Sequence, residues 1–175
     1  VWLFKLVPKG LFPVEDTGRL SVITEAAEGT SFEAMVPHQK ALMANLAGMT
    51  GPAGLDVVPG DRAVSWLPLY HDMGLIGFLM GPLSSQLAID YLTPRDFARR
   101  PMQWLKLISQ QRATATYSPS FGYDLATRRA QRQSIDDLDL SCLRLAGIGA
   151  DMIQPAVLRR FAETFADAGF NSKAF

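Results

Sequence analysis

Trp66-Leu67-Pro68-Leu69-Tyr70-His71-Asp72-Met73-Gly74-Leu75-Ile76-Gly77 is the stretch on which the reading of the fold turns. Val64 to Leu69 read as a short buried strand that Pro68 ends, Asp72 stands where a helix N-cap would, and Met73 to Met80 carry no charge. A polar pair, His71 and Asp72, therefore sits at the lip of an apolar helix. Such a lip suits a ligand with a polar head and an apolar tail, because the head needs hydrogen-bond partners while the tail needs only dry surface.

Working outward, strand and helix patterns alternate. Leu20 to Thr24, Ala63 to Leu69, Leu87 to Leu92, Ala113 to Tyr117 and Leu143 to Ile148 read as strands. His38 to Met49, Asp72 to Met80, Arg100 to Gln111, Pro119 to Gln131 and Gln154 to Ala168 read as helices, with Pro101 and Pro119 in first turns and Gly169 as a C-cap. Apolar strands alternating with helices predict an α/β fold, a mainly parallel sheet flanked by helices, with the strands at 64–69, 113–117 and 143–148 as buried neighbours. Gly51 to Gly60, rich in Gly and Pro, reads as a loop, and no internal repeat is visible.

Composition narrows the function. The 175 residues are 48% hydrophobic, with 17 Lys and Arg against 17 Asp and Glu, so the electrostatic case for nucleic acid or an anionic membrane is missing. One cysteine, Cys142, excludes an internal disulfide, and with two His it leaves no metal site to expect; the cytoplasm is the default compartment. No apolar run reaches the roughly 18 to 20 residues that span a bilayer.

The string Leu67 to Gly77 closely resembles a segment of the fatty acyl-AMP ligases, of the adenylate-forming synthetase superfamily, and three further segments follow in the same order. Thr93-Pro94-Arg95-Asp96-Phe97 to Arg100-Pro101-Met102-Gln103-Trp104-Leu105 is similar to the family's Pro-x-x-Phe and Arg-Pro-x-x-Trp-Leu run. Ala115 to Leu125 is similar to its Ala-Pro-Asn-Phe-Ala-Tyr-x-Leu segment, and Gly149-Ala150-Asp151 to its Gly-Ala-Glu turn. The resemblance covers about Leu20 to Phe175. It implies a partial AMP-binding domain over 20–175, with 1–19 unassigned, belonging to a longer protein whose small carboxy-terminal domain carries a catalytic Lys.

The chemistry that the resemblance implies is attack of a fatty-acid carboxylate on the α-phosphate of ATP, with Mg as companion, giving acyl-AMP and pyrophosphate. The acyl group would then pass to an acyl carrier protein or a polyketide synthase. His71 would lie beside the carboxylate and the α-phosphate, an imidazole N–H reaching an oxygen; without the motif it reads as a buried His satisfied by Asp72 or a carbonyl. Asp72 is a helix cap or a substrate contact. Tyr70, Met73, Ser118 and Phe121 are the other substrate-side candidates. Met73, Leu75, Ile76, Leu79 and Met80, with Phe121 and Tyr123, line an acyl tunnel or are ordinary core. Gly149, Ala150 and Asp151 are candidates for the adenine side, or simply a tight turn. Asp151 replaces the family's Glu, and Ser120 stands where relatives carry Asn.

One segment departs from the family. Aligned back from His38, relatives have Thr-Ser-Gly-Ser-Thr and then Pro-Lys-Gly, whereas this chain reads Thr24-Glu25-Ala26-Ala27-Glu28-Gly29-Thr30-Ser31-Phe32-Glu33-Ala34, with Thr24 the surviving nucleotide-side candidate. Glu25, Glu28 and Glu33 would repel a polyphosphate, and Phe32 stands where the Lys is expected. Two functions stay open: an acyl-activating ligase of which this is the central piece, inactive by itself, and a degenerate acyl-binding homologue that has lost the phosphate loop.

Overall fold

The computed structural model describes residues 31–175 of the chain. Contacts divide the chain into Val1–His38 and Gln39–Phe175, and the sheet lies wholly in the second unit. The strand expected at 20–24, with Thr24, Glu25 and Glu28, lies outside the described residues.

The first described element is helix α1, Phe32–Thr50. It begins six residues before the expected start and runs through Pro37, so Glu33 and Ala34 are helical rather than part of a loop. Ser31 explains the early start, since its hydroxyl accepts from the Ala34 backbone N–H at 3.2 Å and satisfies one of the orphan donors of the first turn. Strand β1, Arg62–Ser65, follows the Gly- and Pro-rich loop. Helix α2, Asp72–Leu75, continues without a break into a π turn, Ile76–Met80, and helix α3, Gly81–Ser85.

Next come β2, Ala88–Tyr91, α4, Pro94–Arg99, and α5, Met102–Gln111. The chain closes with β3, Ala115–Ser118, α6, Ser120–Ala130, β4, Leu145–Ile148, α7, Pro155–Thr164, and a 3-10 turn at Ser172–Ala174. Pro101 and Pro119 occupy N-cap positions, one residue before the helices that were expected to contain them. Helix α7 stops at Thr164, short of the expected Ala168, because Phe165 leaves helical geometry; Gly169, at φ +81°, closes the turn beyond. The four strands expected among the described residues are all present; each is trimmed at one or both ends, β1 beginning one residue earlier than expected and β3 running one residue further.

All strand pairs are parallel and the order is β2-β1-β3-β4. From β1 the chain therefore moves one way to β2 and the other way to β3 and β4. With right-handed crossovers, those two directions put helices on opposite faces of the sheet, and a ligand crevice opens at the carboxyl ends of β1 and β3, where the direction reverses. The ladder between β1 and β3 pairs Ala63 with Ala115. A side chain extends it, as the buried Thr116 hydroxyl donates to the Val64 carbonyl at 2.8 Å while accepting from Trp104 Nε1 at 3.0 Å.

The side-chain alternation of the strands separates two environments. Thr116 and Val64 face α5 and α6, where Trp66 stacks on Phe97 with centroids 3.8 Å apart and Trp104, Tyr123 and Phe161 follow ring against ring. Ala63, Ala115, Tyr117 and Leu145 face the other way and border a cavity.

Candidate functional site

The turn that carries His71 is built by three residues of its own sequence. Pro68 ends the extended segment and its carbonyl accepts from His71 N–H at 3.2 Å. Gly74 then packs directly under that carbonyl: a Cβ there would sit 2.1 Å from the Pro68 oxygen, so no larger residue fits. His71 is the N-cap, in extended conformation, with Nδ1 accepting from the Met73 backbone N–H at 3.2 Å. Asp72, expected as the cap, is instead the first helical residue. With Nδ1 taken up as an acceptor, Nε2 is the ring nitrogen left to donate to another group. His71 is exposed, which overturns the alternative of a buried, internally satisfied His.

The second turn follows β3 and the third follows β4, and the two are joined. Register pairs Ser118 with Ile148, so the residues after them emerge side by side. The Ser120 backbone N–H donates to Asp151 Oδ1 at 3.0 Å, and the Ser120 hydroxyl donates to the Met152 carbonyl at 3.4 Å and accepts from Gln154 N–H at 3.3 Å. Asp151 thus caps the first turn of α6, supplying the acceptor that Pro119 lacks. Ala150 holds φ +65°, a left-handed conformation rare for a residue with a side chain and concentrated where function or packing demands it. Met73 links this pair of turns to the first, its sulfur lying 3.2 Å from where a Gly149 Cβ would be. Among the candidates, then, Met73, Gly149, Asp151 and Ser120 form one contiguous group, with His71 two residues from Met73 in the same capping turn.

Other candidates stand apart. Tyr70 is 91% exposed. Ser118 is fully buried, its hydroxyl donating to the Pro119 carbonyl at 2.9 Å. Phe121 is exposed at the start of α6 and packs edge-on against Trp66, 5.7 Å between centroids. Tyr123 belongs to the core on the far face of the sheet, where its hydroxyl donates to the Gly147 carbonyl at 2.9 Å. Burial pushes that phenol well above its ordinary pKa, so it stays a neutral donor.

The cavity, about 380 Å³, lies between the helix at 72–80 and the sheet. Met73, Ile76, Gly77 and Phe78 supply the helical wall, and Ala63, Ala115, Tyr117 and Leu145 the sheet wall. Met49 from α1, with Leu55 and Val57 from the loop after it, closes a third side, and Leu87 a fourth. Of the expected lining, Met73 and Ile76 are present; Leu75, Leu79, Met80, Phe121 and Tyr123 are not, because the π turn re-aims the helix face and α6 lies across the sheet. Tyr117 and Phe78 carry alternation and periodicity signals that would have found them. Asp61 and Arg144, also on the lining, are 83 residues apart and have no local signal.

Volume and apolar walls put this cavity in the range of small-molecule sites, and Asp72 and Met73, next to His71, are on its lining. Among the described residues no group of three or more His, Cys, Asp or Glu is arranged to hold a metal ion. No helix of the described residues is long and apolar enough to cross a membrane.

A parallel sheet with hydrogen-bonded turns at its carboxyl edge and an apolar cavity beneath is the layout of a doubly wound α/β domain that takes a ligand at its switch point. The chain belongs to the AMP-binding enzyme family, whose model matches residues 33–172. It is 55% identical over 141 residues, 81% of this chain, to a Caulobacter vibrioides protein provisionally named acyl-CoA synthetase. Among solved structures it is similar to a chain from a study of the fatty acyl-adenylate ligases of E. coli and L. pneumophila, with TM-score 0.74 and 52% identity over 77% of this chain. It is also similar to the L. pneumophila fatty acyl-adenylate ligase in complex with acyl adenylate and pyrophosphate, at TM-score 0.72 and 33% identity over 77% of this chain. The chain spans about a quarter of the length of these relatives: 24% of the C. vibrioides protein, 24% of the first solved chain and 23% of the second.

Proposed function

We propose that this chain is the acyl- and adenine-binding part of a fatty acyl-AMP ligase, residues 20–175 forming a portion of its AMP-binding domain. In the reaction a carboxylate oxygen bonds to the α-phosphorus of ATP, the bond from that phosphorus to the bridging oxygen breaks, and pyrophosphate leaves. The observation that carries the reading is the apolar cavity between the sheet and the helix at 72–80, on whose lining Asp72 and Met73 directly follow His71. A fatty acid placed tail-first in it brings its carboxylate to the mouth, beside the turn capped by His71.

His71 Nε2–H then donates to the carboxylate or to the α-phosphate oxygen that gains charge, a role of positioning and charge stabilisation. The backbone at Gly149 and Ala150 offers amides and carbonyls to the edge of a base, while the Asp151 to Ser120 bond holds that turn in place. ATP is the co-substrate, Mg accompanies it on its phosphates, and an acyl carrier protein or synthase receives the acyl group.

Calorimetric titration of the chain with a non-hydrolysable acyl-adenylate mimic tests this. Binding is expected, and His71→Ala should weaken it about ten- to a hundred-fold, the usual worth of a hydrogen bond to a charged group. A folded chain that does not bind the mimic overturns the reading.

A second reading, an acyl-binding homologue without catalysis, is favoured by one specific observation: Glu33 occupies the first turn of α1, in the segment where relatives have their phosphate-binding Lys. The two readings part on pyrophosphate release from ATP and laurate. None is expected from this chain, with acyl binding retained; fatty-acid-dependent release abolished by His71→Ala would remove the second reading.

A further inference from the structure

One end of the cavity is not apolar. Asp61 and Arg144 stand at the amino ends of β1 and β4 and both line it. Asp61 accepts from Thr114 Oγ1 at 2.7 Å, from Val58 N–H at 2.9 Å and from Arg144 Nε at 3.0 Å, and its second oxygen also takes Arg144 Nη2. Arg144 further donates to the carbonyls of Leu55 at 3.1 Å and Asp56 at 2.8 Å. The pair is thereby fixed to three separate segments, the loop after α1, the start of β3 and the start of β4. It cannot swing aside as a lone Arg would.

A methyl terminus gains nothing from such a pair and, pressed against it, strips solvent from charges with no compensating bond. At the other end the lining residue Met73 reaches Gly149, so the length of β4 measures the span from the pair to the polar turns. From Arg144 to Gly149, where Met73 meets the backbone, the chain makes five steps (149 − 144), about 16 Å at ~3.3 Å per residue. An extended alkyl chain advances roughly 1.3 Å per carbon for C–C bonds of about 1.5 Å at tetrahedral angles. A carboxylate at the Gly149 end therefore places its terminal methyl against the pair at about twelve carbons.

We propose that the Asp61–Arg144 pair is the floor of the acyl cavity and confines its substrates to medium-chain acids of about ten to twelve carbons. The inference rests on the reading of the cavity as an acyl site, and its test separates the two. The chain is titrated with straight-chain fatty acids of about six to about eighteen carbons, below their micelle concentrations, in competition with a fluorescent fatty acid. Affinity should rise about four-fold per methylene up to about twelve carbons and then stop rising.

The double variant Asp61→Leu with Arg144→Met removes both charges together, so neither is left unpaired. It should bind a sixteen-carbon acid at least ten-fold more tightly than the unaltered chain does. Leu55→Trp, which leaves the pair in place and fills the same end, should move the break to shorter chains. This second variant keeps the test open if the first fails to fold. An unchanged length profile in a folded variant overturns the floor alone. Failure of the unaltered chain to bind any acid overturns the acyl reading, and the floor with it.

Discussion

Tyr117 and Gly147 show how single residues shape the site. They are register partners on β3 and β4, and a Cβ at Gly147 would lie 2.0 Å from the Tyr117 ring. The ring borders the cavity only because its neighbour has no side chain. Gly147→Ala should therefore cost about 1–3 kcal/mol by overpacking, read as a lower urea midpoint, and adding Tyr117→Ala should recover part of the loss. The sequence showed the Gly-x-Gly pattern but not this reason for it, since the contact is across strands. The turn that carries His71, between a strand and an apolar helix, was legible from its sequence. The capping role of His71 was not, because Asp beside an apolar helix is the stronger local signal and only backbone geometry decides between neighbours.

At the scale of elements, the four strands among the described residues were legible from short apolar runs bounded by turn residues, and only their ends were misjudged. Helix α4 was missed although Thr93-Pro94-Arg95-Asp96 carries its start, the Thr93 hydroxyl accepting from Asp96 N–H at 3.1 Å with Pro94 at the first helical position. It is one and a half turns long, too short for periodicity to speak. The π turn at 76–80 was invisible for a different reason, since it depends on a distant partner: Tyr91 on β2 donates its hydroxyl to the Phe78 carbonyl. Tyr91→Phe should cost about 0.5–1.5 kcal/mol, the net worth of one such bond, seen as a lower thermal midpoint. Its effect on acyl binding should exceed that of an equally destabilising change in α7.

For the molecule as a whole, the Asp61–Arg144 pair ties together segments that no local pattern connects, and it titrates. Hydrogen bonding from Arg144, opposed by burial and aided by Thr114 and Val58, lowers the Asp61 carboxyl to about 2 from an ordinary 3.8. A lowered carboxyl stabilises the fold above its unfolded value and loses that contribution as pH falls through the folded one. Stability should thus drop by up to about 2 kcal/mol between pH ~4 and pH ~2, and Asp61→Asn should flatten urea midpoints across that window. The π turn bears on a different kind of change. A π turn holds one residue more than an α turn, so deleting a residue from Ile76–Met80 can be absorbed by closing the turn to α geometry. Residues on one side of the deletion would rotate about 100° relative to the other. The wall of the hollow would be re-indexed while the aromatic face of the sheet stayed untouched, so the length of this helix, as well as its composition, is a variable on which ligand preference can be selected.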